Sequence, residues 1–93
     1  MTFKTTVRNS ADQQPIERLL VTANDEITGE SFQRTTDGGG YADVAMLGRS
    51  VVGNRVTFSV MDPEYRFKGK AMGDSLVITA EDQTLEISLD PFV

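Results

Sequence analysis

The sequence predicts an all-β fold: a single antiparallel β-sandwich of seven to eight strands, with residues 1–93 forming one domain. Three observations carry that expectation. Strand-type alternation recurs at intervals of about eight to twelve residues, with turn chemistry between the runs. No stretch carries apolar residues at the helical i, i+3, i+4, i+7 spacing together with caps. A length of 93 residues with 39% hydrophobic and 25% charged residues is that of one small globular domain.

The elements follow in order. Phe3, Thr5 and Val7 alternate with Lys4, Thr6 and Arg8, which places the first set inward in a half-buried strand. The polar run 9–14 ends it, and Pro15-Ile16 leads into a second strand with Leu19, Val21 and Ala23 inward. Residues 24–29 read as a turn and 31–36 as the returning strand. Asp37-Gly38-Gly39-Gly40 is the sharpest break, because glycine permits positive φ and an aspartate can accept the turn's own amides. Ala42, Val44 and Met46 then face inward, with Tyr41, Asp43 and Ala45 outward.

A connection over 48–54 precedes the clearest inward set, Val56, Phe58 and Val60. Asp62-Pro63-Glu64 turns the chain, residues 65–72 are extended, and Gly73-Asp74 marks a turn before a strand over 76–80. Leu85, Ile87 and Leu89 form the last strand, closed by Asp90-Pro91. The best helical rival, residues 12–20, is opposed by Pro15 and by the β-rich run Leu19-Leu20-Val21-Thr22. Phe32, Phe67 and Phe92 have no face assigned by alternation.

Absent residue types exclude several chemistries. The chain has no cysteine, hence no disulfide, thiol nucleophile or iron–sulfur cluster. It has no histidine, which removes a serine triad and the commonest transition-metal ligand. A carboxylate pair of the glycosidase kind needs a deep cleft that so short a chain hardly builds. No catalytic residue, metal site or cofactor is therefore expected. With a net charge of −5 and a pI near 4.5, nucleic-acid binding is not expected either. Arg66, Lys68 and Lys70 are expected on one strand face, as a charged stripe that guards an edge. No apolar run is long enough for a spanning helix, so no membrane insertion is expected. Any secretion signal is expected to have been removed or to belong to a larger parent chain.

The order of the signals adds a resemblance. "TVRNSADQQPIERLLVTA", "TTDGGGYADV", "VTFSVMDPEYR" and "TLEISLDP" together resemble the carboxypeptidase regulatory-like, or prealbumin-like (Ig-like), β-sandwich domains over nearly the whole chain. Pro15-Ile16 falls on that family's proline–hydrophobic pair, Thr36, Asp37 and Gly40 on its turn, and Tyr65 on its corner tyrosine. The chain departs where the family has Gly-Ala after the pair, here Arg18-Leu19, and where a glycine precedes the corner tyrosine, here Glu64. The resemblance implies a non-catalytic module beside enzymes, in surface proteins or adhesins, or on tailed-phage virions. The hydroxyisourate hydrolases of the prealbumin-like fold depend on histidines, which this chain lacks.

Candidate contact residues gather at the glycine turn. Tyr41 is expected outward beside Gly38, Gly39 and Gly40, with Asp43 next on that face and Asn54 on the neighbouring loop. An exposed aromatic there would stack on a sugar or anchor a protein. Tyr65 is expected to bond a backbone carbonyl at a corner. The carboxylates Asp25, Glu26, Glu30, Asp37 and Asp43 read as turn formers rather than calcium ligands, since no D-x-[DN]-x-[DN]-G loop is present. The functional expectation is an accessory module for spacing, presentation or protein attachment, in a bacterial surface or secreted protein or a phage structural protein. It would sit outside the cytoplasm or in a virion, with neighbouring domains or a protein as partner. The alternative is a carbohydrate-binding module. With Pro63, Lys68 and Lys70 guarding its edges, the domain is expected to be a monomer in isolation.

Overall fold

A computed structural model describes residues 2–45, 51–71, 76–79 and 82–91. Among these residues the chain is all-β, with no helix. Six strands have five residues or more: β1 (Thr2–Asn9), β2 (Leu20–Asp25), β3 (Ser31–Thr35), β4 (Tyr41–Ala45), β5 (Arg55–Met61) and, at the end of the chain, β8 (Asp82–Leu89). Between the last two lie two-residue segments, β6 (Lys70–Ala71) and β7 (Leu76–Val77). Full-length strands thus number six among the described residues, fewer than the seven to eight expected. Of the described residues of the expected stretch 65–72 only Lys70–Ala71 form a strand, and of those in 76–80 only Leu76–Val77 do.

The six strands form two three-stranded sheets, ordered β4-β1-β8 and β3-β2-β5, and β6 and β7 attach to the far side of β5. The expectation of a purely antiparallel fold does not hold. β1 pairs antiparallel with β4 but parallel with β8, from Thr2↔Asp82 to Asn9↔Leu89. A parallel pair needs a long crossover, and the whole intervening chain supplies it. Alternation reports which face a residue takes and says nothing about strand direction, so this was invisible in the pattern.

Inward rows of both sheets meet in one buried cluster. Phe3, Val7, Ala42, Val44, Ile87 and Leu89 come from the first sheet, and Val21, Ala23, Val56, Phe58 and Val60 from the second. Phe3 and Phe58 join the rows edge to face, with ring centroids 5.0 Å apart. Thr5 is also fully buried, and its hydroxyl donates to the carbonyl of Ala42 on the adjacent strand. Of the connections that cross between the sheets, those joining β1 to β2 and β3 to β4 pack together. In the first, Pro15 bridges Arg8, the Ile16 amide donates to Val7 O, and Ile16 and Leu19 are buried. In the second, Thr36 ties the two crossings together, its hydroxyl donating to Ile16 O at 2.8 Å and accepting from Leu19 N at 3.0 Å. The crossings therefore lie side by side, and the second places the start of β4.

Candidate functional site

The second crossing builds the site. Asp37 Oδ1 accepts the amides of Gly39 (2.9 Å) and Tyr41 (3.1 Å), while its backbone N–H donates to Tyr41 O. Of the turn's three glycines, all of which permit positive φ, Gly40 alone adopts it, at +76°. It also lies against the first crossing. A Cβ there would stand 2.5 Å from Val7 O and 3.1 Å from Pro15 Cβ. The Tyr41 ring turns back over Gly39, where a Cβ would stand 2.7 Å from the ring. Tyr41 nevertheless remains 54% exposed, so a rigid turn presents an aromatic face to solvent.

Beside it the edges of the two sheets approach each other. β3 ends one sheet and β4 ends the other, and a shallow depression of about 280 Å³ opens between them. Arg34, Thr35, Asp37, Tyr41, Ala42 and Asp43 line it. Arg34 was not singled out from the sequence. It pairs with Val21, so it shares the inward parity of Phe32. Rather than entering the core, its guanidinium lies over the Phe32 ring, 5.8 Å from the centroid, and Nε donates to Asp43 O at 3.2 Å. The sequence showed an arginine two residues after Phe32 but not that β3 is an edge, where such an arginine also blunts pairing. The depression thus combines an aromatic face, a guanidinium and two carboxylates.

Tyr41, Gly38, Gly39, Gly40 and Asp43 come together there, and Asn54 does not. Asn54 Nδ2 donates to Asp25 Oδ2 (3.0 Å) at the other end of β2, roughly 17 Å along the strand from Leu20. Asp25 is buried, with Oδ1 accepting the amides of Ile27 (2.8 Å) and Thr28 (3.0 Å). Asn54 therefore braces the turn joining β2 and β3 from the connection before β5. Residues 48–50 of the loop expected to flank Tyr41, together with Met46, Gly73-Asp74 and Phe92, lie outside the described residues.

Two further expectations are corrected at the turn after β5. Tyr65 is 79% exposed at a φ of 55°, and among the described residues no hydrogen bond holds its hydroxyl. It projects from the turn and caps no corner. Nor do Arg66, Lys68 and Lys70 share a strand face, because Arg66 folds onto Asp62. The buried Asp62 accepts Glu64 N at Oδ1 (2.9 Å) and Arg66 N (2.7 Å), Arg66 Nε (3.2 Å) and Phe67 N (3.1 Å) at Oδ2. Burial alone would push this carboxyl up. The amides of Glu64 and Arg66, with the Arg66 guanidinium, outweigh it and hold Asp62 below its ordinary value. Arg66 continues through Glu64 to Arg18, an ion-pair chain that links the turn to the first crossing.

Among the described residues no three carboxylates gather in a metal-binding arrangement. No family model matches the chain, and no curated protein matches it.

Proposed function

We propose that the chain is a non-catalytic β-sandwich module of the carboxypeptidase regulatory-like, prealbumin-like kind. It serves spacing, presentation or protein attachment in a bacterial surface or secreted protein or a phage structural protein. Tyr41 and its depression are the contact surface. The observation that carries this is the exposed Tyr41 ring, on a turn whose Gly39 and Tyr41 amides donate to Asp37 Oδ1, beside Arg34 and Asp43. Both buried carboxylates support a non-catalytic role, since the oxygens of Asp25 and Asp62 are engaged by turn amides and neighbouring side chains.

Two features support the family. Gly40 has a φ and a close approach that demand glycine, at the position of the family's turn glycine. Arg18 stands where the family has glycine and holds a φ of 62°. The prealbumin-like form is favoured over the Ig constant-type one, in which the first two strands share a sheet. Here β1 and β2 lie in different sheets.

The test is site-specific photo-crosslinking in the cells or particles that carry the protein, with the reactive group at Tyr41 or, as control, at Tyr65. Adducts to a discrete partner from position 41 and none from position 65 support the reading. Equal yields from both, or none from 41, overturn it. The carbohydrate reading rests on the same aromatic face beside a guanidinium and carboxylates. Binding to one glycan of an immobilised panel, lost in Tyr41→Ala, would select it instead.

A further inference from the structure

The geometry points to the free edge of β8 as a strand-pairing site for a second copy of this chain. Among the described residues β8 ends its sheet; it is eight residues long and carries neither proline nor lysine nor arginine. The other edges are protected or short. β3 has five residues and carries the charged Arg34, β4 has five residues, and β6 and β7 have two each. Of the residues expected to guard against pairing, Pro63 is in the turn after β5 and Lys70 opens β6, while Lys68 meets this edge just beyond the strand, at Asp90.

Hydrogen-bond direction fixes which groups are free. Leu89 O accepts from Ser10 N, on the β1 side, and Asp90 O accepts from Lys68 N, on the opposite side. Strand residues alternate, so the amides and carbonyls of Asp82, Thr84, Glu86 and Ser88 point to the free side. Among the described residues nothing from the backbone pairs with them there.

A second β8 laid antiparallel against this edge has one favourable register. With Leu85 opposite its own copy, Thr84 faces Glu86 and Asp82 faces Ser88, so every outward-pointing backbone group meets its complement. No two carboxylates oppose each other. A shift of two residues one way puts Glu86 against Glu86, and the other way puts Asp82 against Glu86; each pairs like charges. The first of these also drives the incoming strand into Lys68, whose segment occupies the free side of Asp90. In the favoured register Asp82 of the second copy arrives beside Lys68. It arrives at a hollow of about 350 Å³ lined by Lys68, Gly69, Ser88, Leu89 and Asp90. Leu85, only partly buried, gains its symmetry mate as cover.

The absence of native cysteine makes the test direct. Sedimentation of the wild type up to millimolar concentration should show a monomer–dimer equilibrium. Thr84→Glu, which sets a carboxylate against Glu86 twice, should raise the dissociation constant about tenfold or more. Under mild oxidation Leu85→Cys should give disulfide dimers, whereas Ser88→Cys, distant from its mate in this register, should not. Should Leu85→Cys fail to fold, the sedimentation pair still decides. A wild type monomeric at millimolar concentration, or equal cross-linking of both cysteine variants, overturns the proposal; capture of a foreign strand by a monomeric β8 counts among those overturning results.

Discussion

Replacing the three glycines of the 37–41 turn one at a time separates three roles that the sequence presents as one. At Gly40, an alanine must hold a left-handed backbone, costing about 1–2 kcal/mol. Its Cβ would also sit 2.5 Å from Val7 O, and a backbone oxygen in a paired strand cannot step aside cheaply. Overpacking of that kind costs about 1–3 kcal/mol. Gly40→Ala is therefore expected to lose about 2–5 kcal/mol, a large share of the stability of a domain this size. At Gly39 the obstacle is the Tyr41 ring, a side chain that can swing away, so stability changes little while the ring is displaced. At Gly38 the nearest atom is Glu17 Oε2 at 3.8 Å, an ordinary contact. Gly38→Ala is expected to be neutral or to stabilise by up to about 1 kcal/mol. Urea unfolding of the three variants at constant m measures the series. A Gly40→Ala variant within about 1 kcal/mol of Gly38→Ala would refute the close-approach argument.

Arg18 and Asp62 give the remaining predictions. Arg18→Gly and Arg18→Ala both lose the exposed pair with Glu64, so their difference isolates the φ of 62°; the glycine variant should be about 1 kcal/mol the more stable by urea unfolding. Equal stabilities would show that this backbone carries no strain. Asp62 has its folded pKa lowered, so its contribution is complete above the unfolded value and lost as pH falls below about 4. Unfolding free energy measured against pH should fall more steeply there in the wild type than in Asp62→Asn, and parallel curves would remove Asp62 as the source. The same variant should be less stable at neutral pH, because an amide nitrogen would confront donors that Asp62 now accepts.

Face assignments were legible from the residues, and relations between strands were not. Phe3, Val7, Val21, Ala23, Val44, Val56, Phe58, Ile87 and Leu89 are buried as alternation requires, because a period of two leaves a half-buried strand no other choice. The parallel β1–β8 pair escaped, since pairing direction depends on the path of the whole chain. Turns were half legible. Asp37 accepts amides as its residue type suggests, yet Asp62 organises a wider network whose partners Arg66 and Phe67 lie outside the four-residue turn window. That network removed Arg66 from the expected charged stripe and left Tyr65 in solvent. At the candidate site Tyr41 and Asp43 were found from parity, whereas Arg34 required knowing that β3 is an edge facing β4. Asn54 was misgrouped because a neighbouring loop in sequence order lies at the opposite end of β2.

The central claim is that this module works by attachment through Tyr41. Its most direct test is the affinity for the partner captured at position 41, measured by calorimetry with the wild type and with Tyr41→Ala confirmed folded. The account predicts a loss of about 30-fold or more, as for the truncation of a central aromatic anchor. An unchanged affinity in Tyr41→Ala would contradict it and move the contact surface elsewhere on the domain.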